Sequence, residues 1–108
     1  MIVAHSRELV NQLSAVIARI LAYAPSYRLC NLVSDQANNY AHIIVSTLGT
    51  LIKNCDGDTK SLDLTYLKVF VLDEADFFFS QDTTNFEDLS SFHLLLKSKK
   101  TRIQYLFF

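Results

Sequence analysis

Val69-Phe70-Val71-Leu72-Asp73-Glu74-Ala75-Asp76 is the stretch from which the rest of the chain can be read. Four consecutive apolar residues bounded by polar ones describe a short strand buried on both faces. Two adjacent carboxylates follow at once, with a third after one alanine. The first of such a pair can hold a hard cation such as Mg2+, often through water. The second can orient a water for attack on a phosphate. A solvated acidic turn has the same composition, so the strand before it and the segments elsewhere must separate the two readings.

Working outward, apolar runs alternate with amphipathic ones. Met1–Ala4 reads as the end of a strand. Arg7–Ala24 reads as a helix, with Leu9, Leu13, Val16, Ile17, Ile20, Leu21 and Ala24 recurring at steps of three and four. Ser6 is its expected N-cap, Glu8 suits the positive end of the helix dipole, and Pro25 marks the stop. Tyr27–Val33 is expected as a strand and Ser34–Tyr40 as a short helix or loop. His42–Ser46 is expected as a buried strand around Ile43-Ile44-Val45, and Leu48–Asn54 as a short helix. Asp56-Gly57-Asp58 is a turn signal, and Leu62–Leu67 reads as a helical turn. Lys68–Leu72 is the central strand. Gln81–Asn85 reads as a polar loop, Phe86–Lys97 as a helix with Phe86, Leu89, Phe92, Leu95 and Leu96 on one side, and Thr101–Phe108 as a last strand. Strands alternating with helices predict one α/β unit with a mainly parallel sheet covered on both faces.

Composition narrows the class. Half of the 108 residues are hydrophobic and 19% are charged, the balance of a globular domain. A net charge of −1 offers no general attraction to nucleic acid, so any RNA contact has to be local. Cys30 and Cys55 lie far apart without metal-ligand spacing and read as reduced intracellular thiols. His5, His42 and His93 share no metal spacing either. No apolar run approaches the ~20 residues of a membrane span, and the start does not read as a signal peptide. The expected location is therefore cytosol or nucleus.

In a parallel sheet the carboxyl ends of all strands share one edge, where ligands collect. Three ends carry polar residues: Ser6-Arg7-Glu8, Thr47-Leu48-Gly49-Thr50, and Asp73-Glu74-Ala75-Asp76. The first two begin helices, whose free N–H groups and partial positive charge accept phosphate. Hydroxyls at Ser6, Thr47 and Thr50 add donors, and Gly49 permits close approach of a ligand backbone. Such contacts grip a sugar–phosphate strand without reading bases. Ordinary helix capping explains each segment equally well on its own.

Taken together, these segments resemble the DEAD-box RNA helicases. Ala4-His5-Ser6-Arg7-Glu8-Leu9 is similar to motif Ia, A-P-T-R-E-L, with His5 for proline and Ser6 for threonine. Ser46-Thr47-Leu48-Gly49-Thr50 is similar to motif Ib, usually T-P-G-R, with Leu48 for proline and Thr50 for arginine. Val71–Asp76 matches motif II unchanged. Gln104–Phe108 looks like the strand leading to motif III, S-A-T. The order and spacing of these segments fit the family along essentially the whole chain. Thr50 and the absence of the usual glycine pair, near Val33-Ser34-Asp35, resemble the mRNA-export subfamily that acts at the nuclear pore.

The resemblance implies a partial RecA-like, three-layer α/β/α fold. Residues 1–108 would form part of the first RecA-like domain, with the P-loop strand missing. The implied activity is RNA unwinding or ribonucleoprotein remodelling driven by ATP and Mg2+, with two RecA-like domains closing on single-stranded RNA. On that likeness Asp73 holds Mg2+ through water, Glu74 positions the hydrolytic water, and Asp76 couples the site to motif III and the second domain. Ser6, Arg7, Glu8, Thr47, Gly49 and Thr50 line the RNA path, and nuclear-pore or export factors are the implied protein partners. No G-x-x-x-x-G-K-[ST] loop occurs in these residues. The Q motif and P-loop are therefore expected upstream of Met1, and motif III and the second domain downstream of Phe108. The fragment alone is expected to be inactive, with an open apolar edge along Thr101–Phe108. Two alternatives stay open: a degenerate helicase domain that binds RNA or protein without turnover, and a DNA-directed P-loop enzyme with a similar motif II. Phe77-Phe78-Phe79 is read as packing behind motif II in preference to a partner-binding patch, and Lys97-Ser98-Lys99-Lys100 as a solvated turn in preference to an RNA-phosphate contact.

Overall fold

A computed structural model describes residues 1–55, 61–80, 84–99 and 102–108. Its five strands are β1 (Ile2–Ala4), β2 (Leu29–Asn31), β3 (Ile43–Thr47), β4 (Val69–Leu72) and β5 (Gln104–Phe107). Its four helices are α1 (Arg7–Leu21), α2 (Leu48–Cys55), α3 (Ala75–Phe79) and α4 (Thr84–Ser98). All strand pairs are parallel, in the order β2-β3-β1-β4-β5. The alternating pattern predicted this parallel α/β sheet, and the arrangement is consistent with the partial RecA-like fold that the resemblance implies.

The sheet's two-residue period sorts its side chains between two cores. Val3, Cys30, Ile44, Phe70 and Leu72 face the layer of α2, α3 and α4, where Leu48, Leu51, Phe78, Phe92 and Leu96 are also buried. Ile2, Ala4, Leu29, Ile43 and Val45 face α1, meeting Leu9, Val10, Leu13 and Ile17. Helix α1 covers β1, β2 and β3. On that side Val71 and Leu106 remain half-buried, so the α1 layer covers only part of the sheet.

Several elements differ from expectation for identifiable reasons. Helix α1 stops at Leu21, because the Tyr23 and Ala24 amides turn back to the Ile20 and Leu21 carbonyls at 3.1 and 2.9 Å before Pro25. Its buried line runs through Val10 and Ser14, while Val16 and Ile20 are 54% and 62% exposed. At about 100° per residue those two lie on a flank of the helix, not on its sheet-facing side. Strand β2 is only Leu29–Asn31, since the Asn31 carbonyl accepts the Ser34 and Asp35 amides and closes a turn.

Of Leu62–Leu67 only Leu64–Leu67 turns, with the Leu67 amide donating to the Leu64 carbonyl at 3.0 Å, and no helix forms. Leu62 and Leu64 are both buried, an extended alternation, and the Thr65 amide and hydroxyl donate to Asp63 Oδ1 at 2.9 and 2.6 Å. Thr84 and Asn85 belong to α4 instead of a loop, whereas Gln81, Asp82 and Thr83 lie outside the described residues. The turn expected at Asp56-Gly57-Asp58 lies outside them too, as do Lys100 and Thr101. Helix α3 is an addition: five residues are too few to show a helical period in sequence.

Cys30 and Cys55 are buried and form no disulfide. Burial raises the Cys30 thiol above its ordinary pKa. No helix among the described residues is long and apolar enough to cross a membrane.

Phe70 is the pivot of the larger core. It is 1% exposed, with ring centroids 5.7 Å from Phe92 and 5.9 Å from Tyr105. Replacing Phe70 by Ala should cost about 3–5 kcal/mol in urea unfolding, whereas Val16→Ala on the exposed flank should fall within about 0.5 kcal/mol.

Among the described residues, strand β5 pairs with β4 alone. The Gln104 and Phe108 amides donate inward, to the Lys68 and Leu72 carbonyls at 2.9 and 3.1 Å. By the alternation of a parallel strand, the Tyr105 and Phe107 main-chain groups therefore face outward. Such an edge favours strand addition. The 108-residue chain should show concentration-dependent oligomers by sedimentation velocity, and Leu106→Lys should shift it toward monomer. A clean monomer at all concentrations would remove this expectation.

Candidate functional site on the carboxyl edge of the sheet

Because every strand is parallel, the ends of β3, β1 and β4 lie side by side on one edge. At about 4.8 Å between neighbouring strands, the outer two ends are roughly 10 Å apart. Thr47–Thr50, Ser6–Glu8 and Asp73–Asp76 thus occupy adjacent stations on one rim.

At the end of β4 the backbone is tightly held. The Asp73 amide donates to the Val3 carbonyl at 2.9 Å, fastening the acidic turn to β1. The Ala75 amide donates to the Phe108 carbonyl at 2.8 Å, fastening it to the end of β5. Between these anchors Glu74 adopts the left-handed conformation, φ 51° and ψ 54°, and is the one non-glycine residue with positive φ among the described residues. That geometry costs on the order of 1–3 kcal/mol for a residue with a side chain.

Asp73 is half-buried, while Glu74 and Asp76 are exposed, Asp76 in the first turn of α3. No group of three or more His, Cys, Asp or Glu side chains converges as a metal cage among the described residues. A lone anchored carboxylate suits Mg2+, which keeps several waters and takes its remaining oxygens from substrate phosphates. Asp73 therefore fits such an ion as a single donor.

The two helix starts are occupied by their own chain. Ser6 Oγ accepts the Leu9 amide at 3.2 Å and caps α1. Arg7 Nη2 donates to the Val33 carbonyl at 3.4 Å, joining the start of α1 to the segment after β2. Glu8 Oε1 accepts from Gln12 Nε2 at 3.4 Å. Thr47 Oγ1 accepts the Thr50 amide at 3.4 Å and donates to Thr50 Oγ1 at 3.0 Å, capping α2. Capping thus accounts for Ser6, Thr47 and Thr50 within the fold.

Gly49 is different. A Cβ placed there meets no atom within 4 Å, and the residue is exposed in the first turn of α2. The fold supplies no reason for glycine at this position.

Two groups missed by sequence reasoning join this rim. His5 Nε2 lies 2.5 Å from Glu74 Oε2, and the His5 ring stacks on Phe77 with centroids 4.3 Å apart. Phe78 is buried behind the acidic turn as expected, but Phe77 and Phe79 are 40% and 46% exposed. Phe79 meets Phe107 edge-on at 5.8 Å. The signal for His5 was present only as an ionisable residue at a strand end, whose partner depends on strand order. A hollow of about 320 Å³ involving Met1, Asp63 and Lys68 sits at the opposite end of the strands and takes no part in this rim.

The chain matches the DEAD/DEAH box helicase family over residues 1–108 and belongs to it. No curated protein matches the chain.

Gly49→Ala should raise stability by about 0.4–1 kcal/mol in urea unfolding, since Ala meets no clash there and restricts the unfolded chain. A loss of stability would mean that the first turn of α2 is packed differently.

Proposed function

We propose that this chain is part of the first RecA-like domain of an ATP-dependent DEAD-box RNA helicase. The observation that carries the reading is the motif II pair, Asp73 and Glu74, held at the end of β4 on the rim that also bears two helix starts. On this reading Asp73 holds Mg2+ through water, Glu74 orients the hydrolytic water, and Asp76 links the site to the second domain. The residues Ser6, Arg7, Glu8, Thr47, Gly49 and Thr50 run along the sugar–phosphate backbone of single-stranded RNA. Amides at the starts of α1 and α2 supply phosphate contacts without base reading. Unoccupied space over Gly49 supports backbone approach at that point. Thr50 in place of arginine supports a role in mRNA export, with nuclear-pore or export factors as partners, acting in cytoplasm or nucleus.

A second reading rests on one specific observation: these 108 residues contain no phosphate-loop motif. The chain by itself then serves as a module that holds RNA or a protein without turnover. The two readings differ in whether a phosphate loop completes the site.

The test is fluorescence anisotropy with a labelled single-stranded oligouridylate and the matching DNA, alongside a phosphate-release assay. RNA should bind more tightly than DNA, and Gly49→Ala should weaken RNA binding even though it stabilises the fold. The 108-residue chain should release no phosphate from ATP. Turnover that disappears in Asp73→Asn or Glu74→Gln would overturn the expectation of inactivity, and equal binding in Gly49→Ala would remove the RNA path from α2.

A further inference from the structure

His5 sits at the junction of two functions. It follows Ala4, the last residue of β1, and precedes Ser6, the N-cap of α1. Its ring leaves this junction sideways, toward the end of the neighbouring strand β4. There Nε2 meets Glu74 Oε2 at 2.5 Å, a direct polar contact between the two side chains. A ring carrying its proton on Nε2 can donate to that carboxylate oxygen.

The ring is restrained on a second side. Phe77 stacks on it at 4.3 Å with an interplanar angle of 25°. Phe77 is itself tied to Glu74, because its amide donates to the Glu74 carbonyl at 3.0 Å. His5, Glu74 and Phe77 thus form a closed three-residue unit. One edge of the imidazole holds the carboxylate, one face rests on the phenyl ring, and the backbone of α3 joins the two. The Glu74 side chain is otherwise 53% exposed and would sample several rotamers in water.

We infer that His5 is a positioning residue for Glu74, and that through it the orientation of this carboxylate depends on what is seated at the start of α1. The inference rests on the reading of Glu74 as the water-orienting carboxylate and of Ser6–Glu8 as an RNA contact. A phosphate drawn to the first-turn amides of α1 displaces the peptide that carries His5. The imidazole transmits that displacement to Glu74, across one strand spacing and without a further residue between them.

The test uses the isotopically labelled 108-residue chain and the carboxyl 13C resonance of Glu74, assigned with Glu74→Gln. Two variants separate the ring's roles. His5→Phe keeps an aromatic face for Phe77 and removes the donor; His5→Gln keeps a donor and removes the stack. Amide spectra establish that each variant is folded. In the free chain the Glu74 carboxyl resonance should shift in His5→Phe and return toward its original position in His5→Gln. A resonance indifferent to His5→Phe overturns the positioning role, whatever the chain's function.

Single-stranded oligouridylate is then titrated into each chain. RNA should move the Glu74 carboxyl resonance in the unaltered chain and leave it in place in His5→Phe while the α1 amides still respond. An equal Glu74 response in His5→Phe overturns the coupling. An oligonucleotide that moves no α1 amide overturns the RNA reading and the coupling with it, and the free-chain comparison still decides whether His5 positions Glu74.

Discussion

Strand β1 is three residues long and hydrogen-bonded in parallel on both sides, to β3 through Ile2↔Val45, Val3↔Ser46 and Ala4↔Thr47, and to β4 through Ile2↔Val71 and Val3↔Leu72. Val3 and Ala4 have no exposed surface. This short segment sets the register of the two strands that carry the rim's polar groups. A slip of one residue would turn Val3 away from the larger core and carry the whole Ser6–Glu8 turn past the acidic turn. The rim exists because β1 sits between β3 and β4, and because the Val3 carbonyl takes the Asp73 amide.

Around that constraint the rim divides into a stiff part and an adaptable part. The acidic turn is anchored to β1 and β5 and holds Glu74 in a backbone conformation that side chains seldom adopt. Strain of this kind persists only where the surroundings over-determine it. Here the flanking amides of Asp73 and Ala75 do so. The starts of α1 and α2 are held by internal hydrogen bonds of Ser6, Arg7, Thr47 and Thr50, of which only that of Arg7 is exposed. On the proposed reading a phosphate competes with these caps for the helix-start amides. His5 joins the stiff part to the adaptable one.

Incomplete coverage shapes the rest of the molecule. One helix covers three strands on one face, while Val71 and Leu106 stay half-buried on the other two. Strand β5 closes the acidic turn with its last carbonyl and presents its outer edge to solvent. The strand that stabilises the site is therefore also the one that favours association with further chains.

The sequence by itself determined the class of fold, the β1, β3 and β4 strands, the Ser6 cap, the buried Phe92 and Leu96 of α4, and the acidic turn after β4. Each of these is written in a local period or in a contiguous motif, which burial enforces residue by residue. Tertiary structure alone decided that Val10 and Ser14, not Val16 and Ile20, face the sheet, because helix rotation depends on what the helix packs against. It kept Leu62–Leu64 extended and confined the turn to Leu64–Leu67, since Leu62 and Leu64 are buried in the larger core. It added α3, whose five residues are ordered by contacts with α4 and the end of β5. It also placed His5 on Glu74. Those residues are far apart in the chain, and no periodicity links them; only the adjacency of β1 and β4 brings an imidazole to that carboxylate.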